Sequence, residues 1–372
     1  MNQQLSQLIT ALNNAPALLS GKKVAAGFDG FVDSIVKVVN NKTIEGITVF
    51  FQTIKEFGNY ISAKSGSGFS LESEELVQKL GGNMPIMSNA LGALGASVSC
   101  VGAFGVPALS PAFAAMHPAC SLYSFTNPGF TTAMEFADGK IMLAQMTDLN
   151  HADWNTIDNA IGLTQLKDIF LSADLICLVN WSELEHSNAI WQGLLKDVFS
   201  NAPPTTDPKQ FFFDLSDCSK RSSEAITTAL KLIAEFGRYG KATLSLNRNE
   251  AGILYRILVN EQIPQDLGQV GKDLFSLLKV STLIIHTSKI SLAWDVNGNY
   301  VDVPQFIDNP LISTGAGDNF NAGYCLGSLL GLDAGLALIL ANSVSNCYIN
   351  TGESPAISTL VGYLSQKISA SL

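Results

Sequence analysis

The segment LISTGAGDNFNAGY, residues 311–324, places three small residues, Gly315, Ala316 and Gly317, directly before the carboxylate of Asp318. Small residues let a backbone approach another group closely, and a helix that begins here presents unpaired amides and the positive end of its dipole. Such a turn can bind an anion while Asp318 accepts a proton from an attacking hydroxyl, a pair of functions that suits phosphoryl transfer. The alternative is a tight turn with Asp318 as its cap, which four residues alone do not exclude.

The composition narrows the classes of partner. The chain has 372 residues and a formal net charge of -10. Nucleic-acid binding needs a basic surface, so we expect no nucleic-acid partner, although local dipoles still allow a small phosphorylated ligand. No apolar run reaches the roughly eighteen residues of a membrane span, and the first residues lack a basic region before an apolar stretch. We therefore expect a cytoplasmic protein with no membrane partner.

The segments that must position this turn alternate between predicted strands and predicted helices. Short runs that are apolar on both faces predict strands at 23–28, 97–105, 173–181, 210–216, 242–247 and 281–288. Helical patterns fall between them at 83–94, 187–200, 222–236, 249–259 and 266–279, and three more helical segments close the chain. This alternation predicts one α/β domain over 1–372, with a central, mostly parallel sheet flanked by helices.

Two regions interrupt the alternation. Residues 34–75 contain β-prone runs and the Gly/Ser-rich tract SAKSGSGFS. Residues 106–150 contain FTTAMEFADGKIMLAQM, a hairpin pattern with its turn at Ala137-Asp138-Gly139 and Asp-Gly as the turn signal. Strands inserted at these two places predict a small second sheet beside the main body.

Four segments together resemble the ribokinase-like (PfkB) sugar kinases. GAGDNFNAG is similar to the family signature GAGDxFxxG, and LSLNRNEAGIL is similar to its NxxE segment. LGGNMPIMSNALGALGASVSCVGAFG resembles the early Gly-Gly motif with its helix and strand, and AGFDGFVDSIVKVV resembles the first strand with its substrate-binding acid. The segments follow the family's order over nearly the whole chain, whereas neither a GxxxxGK[ST] nor a GxGxxG motif is present. The resemblance implies a ribokinase-like fold in which the inserted strands form a lid.

The resemblance also implies an activity and a catalytic centre. The expected reaction transfers a phosphoryl group from ATP, with Mg²⁺, to a hydroxyl of a small sugar or sugar-like molecule. Asp318 corresponds to the catalytic base, and the anion hole corresponds to Gly315, Ala316 and Gly317. Asn247 and Glu250 correspond to the pair that organises Mg²⁺, which proteins usually hold with few carboxylates and several waters. The alternative for this pair is a helix cap followed by an exposed first-turn acid.

The substrate residues follow from the same motifs. Asp33 corresponds to the acid that accepts hydrogen bonds from sugar hydroxyls, with Asp29 as a second candidate; the alternative for Asp33 is a strand-end turn acid. Gly81 and Gly82 would let the backbone approach the sugar, and Asn83 could add an amide contact. The nucleotide is expected over residues 286–290, with contacts from Asn247, Thr287, Ser288 and Asn346. In many members the lid also joins two subunits, so a homodimer through the lid is expected.

Three positions depart from the family pattern. Ile312 replaces an acid, so we expect no potassium dependence unless Asp308 or Asn309 supplies the missing ligand. Ile86 replaces an asparagine that often follows the Gly-Gly motif, which changes the expected sugar preference.

The third departure concerns the nucleotide region and its surroundings. The family often has Thr-x-Gly where this chain has His286-Thr287-Ser288, and His286 is interpreted as a strand-end residue. Asp214 and Asp217 are expected at a strand end facing the cleft, without a motif match.

Two rival functions share these features. One is a nucleoside or vitamin-precursor kinase on the same fold, and the other is a catalytically weak sugar-binding sensor. Retention of Asp318, Asn247 and Glu250 favours an enzyme over a sensor, because binding alone does not need a base.

Overall fold

The computed structural model describes residues 2–200, 208–259, 262–308 and 310–370. The strands of this part of the chain are β1 (Lys23–Gly27), β2 (Phe31–Lys42), β3 (Thr48–Phe50), β4 (Ser73–Gly81), β5 (Ser97–Gly102), β6 (Cys120–Ser124), β7 (Gly129–Phe136), β8 (Gly139–Gln145), β9 (Leu175–Leu178), β10 (Lys209–Asp214), β11 (Gly240–Asn247), β12 (Thr282–His286), β13 (Ser291–Asp295) and β14 (Gly298–Asp302). The helices are α1 (Asn2–Leu18), α2 (Ile54–Ala63), α3 (Asn83–Ala93), α4 (Thr147–His151), α5 (Trp154–Ile161), α6 (Leu163–Ser172), α7 (Ser187–Gly193), α8 (Ser223–Phe236), α9 (Arg248–Leu258), α10 (Leu267–Leu277), α11 (Ala316–Leu329), α12 (Ala334–Thr351) and α13 (Ile357–Ala370). Single 3₁₀ turns lie at Pro111–Ala115, Trp181–Glu183 and Cys218–Lys220, and a π-helical segment, Leu194–Phe199, continues α7.

Nine strands form the large sheet in the order β14-β13-β12-β11-β10-β9-β1-β5-β6. The strands from β12 to β6 run parallel, and β13 and β14 add an antiparallel edge. All six strands predicted from apolar runs lie in this sheet. The order reverses between β1 and β9, because the chain builds β5 and β6 on one side of β1 and then β9 to β12 on the other. Ligands of open α/β sheets bind in the crevice at such a switch point, beyond the carboxyl ends of the strands.

The small sheet has the order β3-β2-β7-β8, with β4 paired to β2. Its first part is longer than the predicted insertion at 34–75, because β2 begins at Phe31 and β4 ends at Gly81. The predicted insertion at 106–150 is divided between the two sheets. Strands β7 and β8 join the small sheet, whereas β6 pairs with β5 in the large sheet. The expectation that this whole region belongs to the small sheet is therefore wrong for β6.

The predicted hairpin joins β7 to β8, but its turn differs by one residue from the expectation. Phe136 pairs with Gly139, so Ala137 and Asp138 form the turn and Gly139 begins β8. The carboxylate of Asp138 accepts a hydrogen bond from the Ile54 amide at 2.8 Å. Asp138 thus ties the hairpin to the start of α2, a contact that the turn pattern does not encode.

Apolar side chains cover both faces of the large sheet. Along β10, Phe211 and Phe213 belong to the core cluster on one face, and Phe212 belongs to the cluster on the other. Phe236 of α8 packs on the first face and Tyr324 of α11 on the second. This alternation explains why the buried parallel strands are continuously apolar in sequence. Among the described helices, none is long and apolar enough to cross a membrane.

Gly30 connects the two sheets. It lies between β1 and β2, where a Cβ would stand 2.1 Å from the carbonyl oxygen of Ala103. Its own carbonyl accepts a hydrogen bond from the Gly129 amide, at the start of β7, at 2.9 Å. The chain therefore passes from the large sheet to the small sheet through a point that has no space for a side chain.

We predict that Gly30→Ala lowers the free energy of unfolding by about 1–3 kcal/mol, because the new methyl group must displace backbone atoms. Urea unfolding measures the change. Gly58→Ala is the matched control, since Gly58 lies in α2 with open space around it and should gain about 0.5–1 kcal/mol. Equal stability of Gly30→Ala and the parent would contradict the close approach at Ala103.

Candidate functional site

The turn before α11 is built around Gly315. This residue caps the helix in the left-handed conformation, with φ 88°, and residues 316–318 form the first helical turn. A Cβ on Gly315 would lie 2.7 Å from the Tyr348 hydroxyl and 3.2 Å from Cγ2 of Ile86. Tyr348 also donates a hydrogen bond to the Thr314 carbonyl at 2.8 Å. Both the backbone conformation and the crowding therefore require glycine at this position.

The amides of this turn are not equivalent. The Ala316 amide donates a hydrogen bond to the Ser313 carbonyl at 3.2 Å. Gly317 and Asp318 lie in the first turn, where amides have no acceptor inside the helix. Of the predicted anion-binding group, Gly317 thus offers an amide, Gly315 offers close approach, and the amide of Ala316 is already engaged.

The Asp318 carboxylate is 8% exposed. Its pKa lies well above the usual range because burial disfavours the charged form, and the negative charges of Asp214 and Asp29 raise it further. Among the described residues, no group donates a hydrogen bond that would lower this pKa. An ionised carboxylate in such surroundings accepts a proton more readily than one in water.

Asn247 and Glu250 form a capping box at the start of α9. The side-chain oxygen of Asn247 accepts the Glu250 amide at 3.0 Å, and Oε2 of Glu250 accepts the Asn247 amide at 2.8 Å. The Asn247 side-chain amide also donates to Oε1 of Glu250 at 2.5 Å. The helix-cap alternative is thus realised for Asn247, but Glu250 is 3% exposed and is not the surface acid of that alternative.

The charge on Glu250 is unfavourable in isolation. Burial raises its pKa well above the usual range, with a further contribution from Asp214 and a smaller one from Asp217. In the described ranges, no group of three or more His, Cys, Asp and Glu side chains is placed to hold a metal directly. Buried acids without a cationic partner nevertheless suit Mg²⁺, which keeps most of its waters. The residues present therefore fit an ion bound mainly through water.

Asp214, at the end of β10, connects three elements. Its Oδ2 accepts the side-chain amide of Asn321, from α11, at 2.7 Å, and its Oδ1 accepts the Ser216 amide at 2.7 Å. Ser245 of β11 donates to Oδ1 of Asn321 at 2.9 Å. Asp217, by contrast, is exposed and caps the short helix that follows it. The structure thus brings Asp214, but not Asp217, into the buried group around Asp318.

Asp33 lies on β2 of the small sheet and not in a strand-end turn. It is 9% exposed, and a Cβ on Gly81 would stand 2.5 Å from its Oδ2. Burial raises the pKa of Asp33, while a hydrogen bond from Thr131 and the charges of Lys79 and Lys140 oppose that shift. Glycine is required at position 81 because the Asp33 carboxylate occupies the space of a side chain.

Asp29 is fully buried beside the start of α3. Its Oδ1 accepts the Met84 amide at 2.9 Å, and its Oδ2 accepts the side-chain amide of Asn180 at 2.6 Å. A Cβ on Gly82, which has φ 92°, would lie 2.5 Å from that Oδ2. Burial raises the pKa of Asp29 to about 7, against the hydrogen bonds from Asn180, Met84 and the Asn83 backbone.

Asn180 was missed by reasoning from sequence. It follows β9 in a left-handed conformation with φ 60° and ψ 41°. Asn is one of the few residues besides Gly that tolerate this conformation, so an Asn directly after the apolar run LICLV was the available signal.

Two cavities flank the turn before α11. The first, of about 570 Å³, is the α12 cavity; its lining includes Asn247, Thr287, Ser288, Ser313, Ala316, Gly317 and Asn346. The second, of about 480 Å³, is the small-sheet cavity; its lining includes Asp33, Lys79, Ile86, Ile312 and Thr314. All four residues expected to contact a nucleotide thus share one cavity, and the leading sugar candidate lies on the other. A larger cavity of about 790 Å³ near α10 contains none of the predicted site residues.

The described residues that line the α12 cavity include no Lys or Arg. Its one histidine, His286, stacks on Phe320 with ring centroids 4.6 Å apart. Burial lowers the pKa of His286 to about 4, so the ring is neutral at physiological pH. Within this lining, the positive feature available to an anionic ligand is the N-terminal end of the α11 dipole.

The fold is shared with solved sugar kinases. The chain is similar to a probable sugar kinase from Rhizobium etli CFN 42, with a TM-score of 0.64, 13% identity, and 93% of this chain and 98% of that chain covered. It is also similar to a ribokinase from Thermotoga maritima, with a TM-score of 0.59, 13% identity, and 93% and 99% covered. The predicted ribokinase-like fold, with its large mostly parallel sheet and separate small sheet, is confirmed.

Sequence comparison gives the family. A ketohexokinase from Haloferax volcanii is 27% identical over 354 residues, which cover 94% of this chain and 92% of that protein. The family model for prokaryotic ketohexokinase matches residues 3–367. The protein is a carbohydrate kinase. Within that class, the chain belongs to the prokaryotic ketohexokinase family.

We predict that Asp214→Asn moves the acid limb of the pH profile of kcat/KM to lower pH. A base with a raised pKa loses activity as pH falls through that pKa, so the parent's limb should lie above the usual carboxylate range. Removing the Asp214 charge lowers the pKa of Asp318, because one source of repulsion is lost. Asp217→Asn, at an exposed acid, is the control. An unchanged limb in folded Asp214→Asn would contradict the coupling.

Proposed function

We propose that this protein transfers the γ-phosphoryl group of ATP to a hydroxyl of a ketohexose. The observation that carries the proposal is that the turn before α11 separates two cavities: Ser313, Ala316 and Gly317 line the α12 cavity, and Ile312 and Thr314 line the small-sheet cavity. Phosphoryl transfer needs donor and acceptor to meet where negative charge is stabilised and a base is held. The name of the Haloferax relative supports a ketohexose as the acceptor.

Asp318 is the proposed base. It takes the proton of the acceptor hydroxyl as that oxygen forms its bond to the γ-phosphorus, while the bond from this phosphorus to the leaving oxygen of ADP breaks. The amides of Gly317 and Asp318 and the dipole of α11 stabilise the charge on the transferred group. Gly315 and Ala316 keep the turn narrow enough for this approach.

The nucleotide occupies the α12 cavity in this proposal, against Asn247, Thr287, Ser288 and Asn346. Glu250 with Asn247 would hold the waters of Mg²⁺, which, when bound, would supply positive charge at the phosphates. The absence of Lys and Arg from the described lining supports this role, because no side chain there offers a fixed positive charge.

The sugar occupies the small-sheet cavity, where Asp33 accepts hydrogen bonds from its hydroxyls. The turn at 81–83 lies beside Asp33, and Ile86 forms an apolar wall next to Gly315. The small sheet is the proposed lid that excludes water during transfer. Asp29 accepts hydrogen bonds from the protein itself, so its proposed role is to position this region.

Three further expectations stay predictions. They are a homodimer through the small sheet, a cytoplasmic location, and a turnover that does not depend on potassium. Ile312 offers no oxygen ligand and lines the small-sheet cavity, whereas Asp308 lines the α12 cavity. Asp308 is therefore on the other side of the turn from Ile312, and Asn309 lies outside the described residues.

The experiment that tests the function is a panel of acceptors. ADP release with ATP and Mg²⁺ is measured for ketohexoses, aldohexoses, pentoses, nucleosides and vitamin precursors, and ³¹P spectroscopy identifies the product. The highest kcat/KM should be found with a ketohexose. A preference for a nucleoside or a vitamin precursor would show that the acceptor belongs to that class and is not a ketohexose. Binding of sugar without ADP release would indicate the sensor.

We predict that Asp318→Asn lowers turnover by about two to four orders of magnitude, the usual range for a lost general base. Binding of ATP and sugar, measured by calorimetry, should stay near that of the parent, because the amide has the same shape. Asp217→Asn is the control, since Asp217 is an exposed acid. Near-normal turnover of purified Asp318→Asn would rule out its role as base.

We predict that Glu250→Gln raises the Mg²⁺ concentration for half-maximal turnover by about 10–100-fold, the usual effect of losing an outer-shell partner. The glutamine oxygen can still accept the Asn247 amide, so α9 should keep its cap. Glu224→Gln, at a first-turn acid of α8, is the matched control. An unchanged Mg²⁺ titration would leave Glu250 as a structural cap alone.

A further inference from the structure

Asn180 combines two unfavourable features at one residue. Its backbone is left-handed, and its Oδ1 is buried without a hydrogen-bond partner among the described residues, although the residue is only 2% exposed. Either feature destabilises a folded chain, and proteins keep such features mainly where function requires them. The residue lies just beyond β9, beside the end of β1, at the switch point of the large sheet.

The contact that Asn180 does make is with Asp29. Its Nδ2 donates to Oδ2 of Asp29 at 2.6 Å, a hydrogen bond strengthened by the charge of the acceptor. This bond also fixes the orientation of the amide, because the reversed amide would place its oxygen against the carboxylate. The unpaired Oδ1 is therefore a consequence of holding Asp29.

Asp29 depends on this bond for its charge. Burial raises its pKa to about 7, and the hydrogen bond from Asn180 is the strongest influence in the opposite direction. The charged group whose titration is linked to Asp29 is Asp318 on α11, which is also an acid. The other groups that favour the ionised form are the backbone amides of Met84 and Asn83 at the start of α3 and the backbone amide of Asp29 itself.

The ionised Asp29 in turn fixes the start of α3. Its Oδ1 binds the Met84 amide, and its Oδ2 lies where a side chain on Gly82 would be. The neighbouring Gly81 packs in the same way against Asp33. The position of the Asp29 carboxylate therefore determines where residues 81–83 lie relative to the small-sheet cavity.

We propose that Asn180 is a positioning residue of the acceptor site, which holds Asp29 and through it the turn at residues 81–83. The proposal rests on the proposed sugar-binding role of Asp33 and this turn. Asn180 holds Asp29 from the β9 side. A substitution of Asn180 should therefore change the KM for the acceptor and not the KM for the nucleotide.

The first test uses Asn180→Gly, which keeps the left-handed backbone without strain and removes the amide. With fructose as acceptor, KM for the sugar should rise about tenfold or more, while kcat and KM for ATP change little. Asn180→Asp keeps the side-chain shape but places an anion against Asp29, so its sugar KM should rise further. Asn297→Gly, the same substitution at an exposed residue in the turn between β13 and β14, is the control and should match the parent.

The second test is independent of the substrate. Hydrogen exchange of ligand-free protein should become faster at the amides of Gly82, Asn83, Met84 and Ile86 in Asn180→Gly, because Met84 donates to a less firmly held carboxylate. Unchanged exchange there would overturn the proposal even if fructose is not the acceptor. An unchanged sugar KM, or equal increases in the KM values for sugar and ATP, would also overturn it. A parent inactive on every ketohexose but with this exchange change would refute only the proposed function.

Discussion

The site depends on keeping buried carboxylates ionisable at the carboxyl edge of the large sheet. Asp29, Asp214 and Glu250 are each paired with a neutral amide and not with a cation, and the amides come from Asn180, Asn321 and Asn247. An amide satisfies a carboxylate oxygen without cancelling its charge, whereas Lys or Arg at the same place would neutralise the field. The negative potential therefore remains to attract a cation and to raise the pKa of Asp318. The same repulsion opposes folding, so the surrounding backbone must compensate for it.

That compensation comes from helix starts. Helices α3, α9 and α11 all begin at this edge: the first turn of α3 faces Asp29, whereas Glu250 and Asp318 lie within the first turns of α9 and α11. Amides at a helix start favour negative charge without adding a titrating group. They reach this edge by different routes: α9 directly follows the parallel strand β11, α3 follows β4 of the small sheet, and α11 comes after the antiparallel edge strand β14. Gly82 and Gly315 then allow the approach, since each holds a positive φ where neighbouring atoms leave no space for a Cβ.

The sequence predicted what local pattern controls and missed what distant contacts control. The run from Phe211 to Phe213 predicted a strand buried on both faces, and the small residues before Asp318 predicted a narrow helix start; both follow from local composition. The burial of Glu250 does not follow locally, because it depends on packing around β10 and β11. The role of Asn180 depends on a contact with Asp29, 151 residues away in the chain. The region of β6 was assigned to the small sheet for the same reason. Its pairing with β5 of the large sheet is a tertiary contact that the local sequence does not encode.

Asp33 and Asp29, the two acids of the proposed sugar site, differ in how their charges are balanced. Asp33 shares the small sheet with Lys79 and Lys140, whose charges lower its pKa, so its compensation belongs to the same sheet. Asp29 is balanced by amides that belong to the main body of the protein. The adjacent residues Gly81 and Gly82 pack on one acid each, so the junction between the two sheets passes between them. A displacement of the small sheet would carry Asp33 and its lysines together while leaving Asp29 in place. Such a movement would change the distance between Asp33 and Asp29 without separating either acid from the groups that balance its charge.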